Sequence, residues 1–240
     1  MPRFFVSKDS ISGNIITVTG ADAAHIGYSL RMKQGDDITF CREGTEYFCR
    51  IKKITSDSVI CEINSSAPTD CEPDIKLTIF QALPKSDKFE LIIQKTVELG
   101  VYRIVPFISS RCVSRPDREQ SAKKLRRFRK IAEEAAKQSG RGIIPDIADI
   151  ISFDEMLEDR SADIRIICSE SGGENISVCG FEKGKDVSVI IGPEGGFEQT
   201  EIAKAVSQGN IPVWLGKRIL RCETCPIAVT AVIMNLTGNM

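Results

Sequence analysis

Apolar and polar residues alternate with a period of two in five short runs near the start of the chain, residues 3–6, 14–18, 37–42, 46–54 and 58–63. Such alternation predicts half-buried β-strands. Turn signals at Gly13-Asn14, Gly35-Asp36, Glu43-Gly44 and Ser56-Asp57-Ser58 separate them, so the segment reads as a small antiparallel barrel or sandwich of local hairpins, with a short helix over 25–32. Residues 64–74 (NSSAPTDCEPD) are rich in Ser, Pro and acids and read as a linker. Beyond it the period changes. Strands are expected at 76–82, 102–108, 164–168, 187–191 and 212–215, and helices at 87–99, 120–139, 199–208 and 226–236. The first of these helices carries Asp87 and Glu90 as an expected capping box and Gly100 as its stop. Strand and helix in alternation imply a mostly parallel α/β sheet, and the boundary divides the chain into 1–70 and 71–240.

With 240 residues, of which 42% are hydrophobic, the chain buries a sizeable core without staples, and its longest apolar stretches fall short of a membrane span. The N-terminus has no signal-peptide pattern, so a cytoplasmic location is expected. Nine cysteines, an odd number spread singly through the expected strands, suit reduced thiols. Cys222 and Cys225 form the only C-x-x-C, and with a single histidine, His25, no four-ligand zinc site is indicated, so no metal is expected. His25 reads as a packing or capping residue and Trp214 as core. The net charge of -1 conceals an asymmetry: residues 1–75 hold 8 basic against 11 acidic side chains, 76–150 hold 16 against 9, and 151–240 hold 8 against 13. The positive field is therefore in the middle of the chain, where 123–130 carries six cations in eight residues, either an RNA-contacting face or a solvated helix surface.

Two segments point to chemistry. IIGPEGGF at 190–197 is an apolar strand running into a Gly/Pro loop before a helix, and ligands of open α/β sheets bind beyond the carboxyl ends of strands. It matches neither the dinucleotide fingerprint nor the P-loop. LGKRILRCET at 215–224 also follows a strand and sets Lys217, Arg218 and Arg221 ahead of a helix that Glu223 or Thr224 is placed to cap. Arg221, beside a Gly loop at the sheet's carboxyl edge, suits an anionic substrate.

Taken together these segments resemble the signature of the SPOUT superfamily, and the chain most resembles the RsmE family of small-subunit ribosomal RNA uridine-N3 methyltransferases. MPRFFV at 1–6, HIGYSLRM at 25–32, LPKSDKFELIIQKTVELGV at 83–101, SSR at 109–111 and QSGR at 138–141 follow that family's text in its order. The resemblance implies a PUA-like RNA-binding β-barrel over 1–70 and a SPOUT α/β methyltransferase domain over 71–240 with a deep trefoil knot. It also implies a homodimer whose active sites are each completed by the partner. The cofactor would be S-adenosyl-L-methionine, held by loops 169–172, 192–196 and 215–221 through Ser169, Gly192, Pro193, Gly195, Gly196, Leu215, Gly216, Ile219 and Leu220. Ribosomal RNA, free or in the assembled small subunit, would meet Arg3, Lys8, Arg31, Lys33, Arg111, Gln138 and Arg141. Around Glu223-Thr224 the family more often has small or apolar residues where this chain has Cys222 and Cys225.

Alkylating uracil N3 requires loss of its proton, which a cation stabilising the uracil anion or a carboxylate accepting the proton assists. Arg221 is the candidate cation. Glu194 is a candidate orienting or proton-accepting group, or else a turn carboxylate bonding loop amides. Three rival readings stand beside this one: a SPOUT enzyme with another RNA target or acceptor atom, a non-catalytic RNA-binding or ribosome-assembly protein, and a C-x-x-C oxidoreductase. The last requires a low-pKa thiol at Cys222.

Overall fold

A computed structural model describes residues 2–170 and 172–240. The chain divides into two compact units: residues up to Glu72 together with Ala136–Ile144, and Pro73–Ala135 together with Pro145–Met240.

Unit 1 is built on a six-stranded sheet of β1 (Arg3–Phe5), β2 (Ile11–Ser12), β3 (Ile15–Thr19), β4 (Asp37–Arg42), β5 (Thr45–Ile54) and β6 (Ser58–Pro68), in the order β1-β4-β5-β6-β3-β2. Alternation is what buries one face: Ile16, Ile38, Phe40, Ile51, Val59 and Cys61 are all 0% exposed. Each such aliphatic or aromatic side chain contributes about 1.5–3 kcal/mol on leaving water. Three sequence expectations need correction. The sheet is not wholly antiparallel, because β1 pairs with β4 in parallel. The helix begins earlier than expected, as α1 (Gly20–Ala24), and widens into a π-helical turn over His25–Ser29, where the ring of His25 packs edge-on to Phe4. The expected linker is strand as far as Pro68, since Ser65, Ser66, Ala67 and Pro68 pair with Phe48, Tyr47, Glu46 and Thr45. A full ladder of backbone hydrogen bonds outweighs the weak β-propensity of those residues, and proline is tolerated at the strand's end.

One carboxylate makes several of the bonds that tie Ala136–Ile144 into unit 1, beside backbone and side-chain bonds from Gly44, Arg3 and Cys71. Glu72 receives Arg141 Nη2 at 2.6 Å and the backbone N–H groups of Gly142 at 2.9 Å and Ile143 at 3.1 Å.

Unit 2 holds an eight-stranded sheet in which every observed pairing is parallel. Its elements are β7 (Leu77–Ala82), α2 (Lys88–Glu98), β8 (Arg103–Ile108), α3 (Arg118–Gln138, whose last residues group with unit 1), β9 (Asp146–Ile147), β10 (Ile151–Ser152), α4 (Phe153–Glu158), β11 (Ile164–Cys168), β12 (Glu174–Asn175), β13 (Val187–Ile191), α5 (Gln199–Ser207), β14 (Ile211–Trp214) and α6 (Thr224–Leu236). The order is β10-β8-β7-β13-β11-β14-β12, with β9 also on β8. Strands β7 and β13 are buried along their whole length, as continuous apolar runs in a covered parallel sheet should be. The 3.6-residue stripe of α3 buries Leu125, Phe128, Ala132, Ala135 and Ala136. Of its cations, Arg127 pairs with Glu90 and Arg129 with Asp149. Glu90 therefore does not close the expected capping box: Asp87, with ψ 8°, lacks the extended backbone that aims a capping side chain, and makes no side-chain cap bond. A capping box does form at Ser152 and Glu155, opening α4, an element the periodicity left unread because it is short.

Replacing Glu72 with Ala takes a carboxylate from a buried guanidinium and two amides, and is expected to cost about 3–5 kcal/mol, read as a lowered urea midpoint. An unchanged midpoint would show that packing and the bonds from Gly44, Arg3 and Cys71 hold the segment without Glu72.

Candidate functional site

In the order β7-β13-β11-β14 four parallel strands lie side by side, so the segments leaving their carboxyl ends emerge along one edge of the sheet. There they surround a cavity of about 620 Å³. It is lined by Ser169, by Gly192 to Gly196, and by Leu215 to Cys222, with Lys88, Arg111 and Trp214. Every residue expected to hold the cofactor, Ser169, Gly192, Pro193, Gly195, Gly196, Leu215, Gly216, Ile219 and Leu220, is in this wall, as are Arg221 and Glu194. Ser171, within the expected 169–172 loop, lies outside the described residues.

Two glycines of the 192–196 loop are favoured, Gly192 by space and Gly196 by backbone angle. A Cβ on Gly192 would sit 3.2 Å from the ring of Phe197, and Gly196 has φ +64°, which side-chain-bearing residues rarely adopt. Phe197 anchors the far end of the loop, stacked at 6.4 Å on Phe107 and tilted against Phe153 at 6.1 Å. The near end is tethered by buried Gln81, whose Nε2 donates to the Gly192 carbonyl at 3.3 Å. Arg111 Nη1 donates to the Gly195 carbonyl at 2.9 Å, so this expected RNA ligand also braces the loop.

Lys88, the first residue of α2, was not singled out from the sequence, although it lies in the LPKSDKFE run. Its Nζ is 3.2 Å from Glu194 Oε1, 3.2 Å from Glu223 Oε2 and 3.8 Å from Cys222 Sγ. Glu194 also accepts the Lys85 N–H at 3.0 Å. Burial works to raise both carboxyls, but backbone hydrogen bonds and the Lys88 ammonium outweigh it and hold them below the usual carboxylate range. The same two carboxylates raise Lys88 above its ordinary value. Glu223 stands at the N-cap of α6 yet makes no side-chain cap bond, because its carboxylate is engaged by Lys88 and by the Cys222 thiol at 3.2 Å. Trp214 is half-buried in the cavity wall, which corrects its reading as core.

Burial, followed by the bond to Glu223 and the nearby Glu194 charge, pushes the Cys222 thiol up to about 12. This is the opposite of an activated redox cysteine and removes the support for the oxidoreductase reading. Among the described residues no group of His, Cys, Asp or Glu is arranged to hold a metal, and no helix is long and apolar enough to cross a membrane.

The remaining expected RNA ligands lie elsewhere. In unit 1 Lys8, Arg31, Lys33 and Gln138 are exposed. Arg3 pairs with Glu46 at 2.7 Å, and Arg141, 4% exposed, is held by Glu72.

Residues 71–234 match the family model described as an RNA methyltransferase domain, and 18–64 match the RNA methyltransferase PUA domain. A Bacillus subtilis protein named ribosomal RNA small subunit methyltransferase E is 34% identical, over 97% of this chain and 96% of its own length. The crystal structure of a ribosomal RNA small subunit methyltransferase E from Neisseria gonorrhoeae, bound to S-adenosyl methionine, is 30% identical with a TM-score of 0.90, covering 99% of this chain and 98% of that one. A Legionella pneumophila methyltransferase solved in complex with its cofactor SAM is 29% identical, also at 0.90, covering 98% of each chain.

The thiol chemistry predicts a simple labelling pattern. Iodoacetamide at pH 8 should modify exposed Cys71 well before Cys222 in the native protein, as peptide mass spectrometry will report. Preferential labelling of Cys222 would restore the redox reading.

Proposed function

The chain belongs to the RNA methyltransferase family that includes the proteins named ribosomal RNA small subunit methyltransferase E, and on that premise we propose that it transfers the methyl group of S-adenosyl-L-methionine to N3 of a uridine in small-subunit ribosomal RNA. The observation that carries the reading is the convergence of Ser169, the 192–196 loop and the 215–221 loop on one cavity. Its volume of about 620 Å³ lies in the range of small-molecule sites. Its lining fits the cofactor: Ile191, Val213, Trp214 and Leu215 offer an apolar bed for a purine, and the glycine loops present backbone N–H and C=O groups to its edge. S-adenosylmethionine supplies an activated methyl group on a sulfonium.

The chain's own residues do the rest. Arg221, exposed in the cavity wall, offers a cation to the developing uracil anion. Glu194 orients rather than accepts the proton, because the bonds it receives from the Lys85 amide and the Lys88 ammonium hold its carboxyl below the usual range and weaken it as a base, so the N3 proton leaves to solvent water. RNA phosphates are met by Lys8, Arg31, Lys33, Arg111 and Gln138, with Arg3 and Arg141 serving as struts for unit 1. The division of labour, residues 1–70 as a PUA-like barrel for RNA and 71–240 as the methyltransferase domain, belongs to the same proposal. So do the trefoil knot, the homodimer and a cytoplasmic location. They rest on family membership.

The test uses small-subunit RNA, naked and as assembled subunits, from a strain lacking the gene. Labelled cofactor should yield 3-methyluridine by nucleoside mass spectrometry, with Arg221→Ala lowering turnover by about 100-fold or more, the scale of removing one charge-stabilising donor. Methyl label on another nucleoside would move the acceptor, and an enzyme whose melting point ignores the cofactor would not be a methyltransferase.

A further inference from the structure

Three chain segments with no sequence neighbourhood meet at one ammonium. Lys88 comes from the start of α2, Glu194 from the loop after β13, and Glu223 from the step into α6. A lysine in the first turn of a helix opposes the helix dipole, so its position is not explained by the helix it begins. Its side chain is 31% exposed, those of Glu194 and Glu223 are 30% and 18%, and all three are close enough to be partly desolvated. The two carboxylates flank the loops that line the cavity, and Lys88 lines it as well.

We propose that Lys88 is a positioning residue of the methyl-transfer reaction, a clamp that joins the 192–196 loop to the 215–223 segment and so holds the cofactor cavity in its binding shape. The proposal rests on the reading of this cavity as the S-adenosylmethionine site. Lys88 acts through Glu194 and Glu223. Without it the two carboxylates that converge on its Nζ are left to repel each other, and the loops they stand on separate. The groups facing Nζ are Glu194 from one loop, Glu223 and Cys222 from the other, and none of them supplies a second cation at the distances observed.

The sign of the pH effect follows. Both carboxyls are held below their ordinary value in the native site, so they stay ionised throughout the neutral and mildly acidic range and the clamp is intact there. Removing the ammonium lets them rise, and the repulsion it neutralised is relieved only when one of them takes up a proton at acid pH.

Cofactor binding by calorimetry tests this with Lys88→Met, Lys88→Arg and Lys88→Met/Glu223→Gln, each checked for an unchanged circular dichroism spectrum. Lys88→Met should bind S-adenosylmethionine at least 10-fold more weakly than wild type at pH 8, with that ratio shrinking toward pH 5. Lys88→Arg and the double variant should recover most of the loss. A Lys88→Met deficit that is the same at every pH and is not relieved by Glu223→Gln would make Lys88 a packing residue and overturn the proposal, as would wild-type affinity in Lys88→Met. Failure of the wild-type protein itself to bind the cofactor would instead overturn the reading of the cavity.

Discussion

Parallel pairing of β13 with β7 on one side and β11 on the other constrains everything that follows at the site. Parallel strands cannot be joined by tight turns, so the chain must leave each carboxyl end and return by a crossover. With β14 parallel to β11 as well, four successive exits open on one edge. Residues as far apart as Lys88, Ser169, Gly192 and Arg221 are brought together by that single rule of sheet geometry.

Loops at a sheet edge need separate means of being held, and here the means differ along the edge. The 192–196 loop is fastened by an aromatic anchor at Phe197, an amide tether from Gln81 and a guanidinium brace from Arg111. The 215–223 segment is joined to Lys88 by the ion pair that Glu223 makes. Unit 1 uses the same device in a structural setting, where Glu72 fixes Arg141 and two backbone amides. In each case a partly or wholly buried charge is tolerated because its partners are hydrogen-bonded to it at short range.

Glu194 illustrates how surroundings change the role of a residue type. A carboxylate in a glycine loop beside an arginine reads as a general base, whereas the ammonium and amide that meet its Oε1 hold it below the usual carboxylate range and make it a weaker one. Cys222 shows the converse. A C-x-x-C reads as redox chemistry, yet burial next to two carboxylates keeps the proton on sulfur.

The sequence by itself determined the elements that are long and strongly patterned: β4, β11 and β13 to the residue, the α2 and α3 stripes, and the two glycine and cation loops that became the cavity wall. Hydrophobic periodicity and glycine's backbone freedom are local properties, so they are legible in one dimension. Tertiary structure decided what depends on partners distant in the chain: the strand character of residues 64–68, the parallel placement of β1, the inclusion of Ala136–Ile144 in unit 1, and the two-residue strands β9, β10 and β12. It also decided the fate of charges. Whether Glu90, Glu194 or Glu223 caps a helix, takes a proton or joins an ion pair depends on which cation the fold brings within about 3 Å, and those partners come from segments far away in the chain, a proximity that sequence spacing does not reveal.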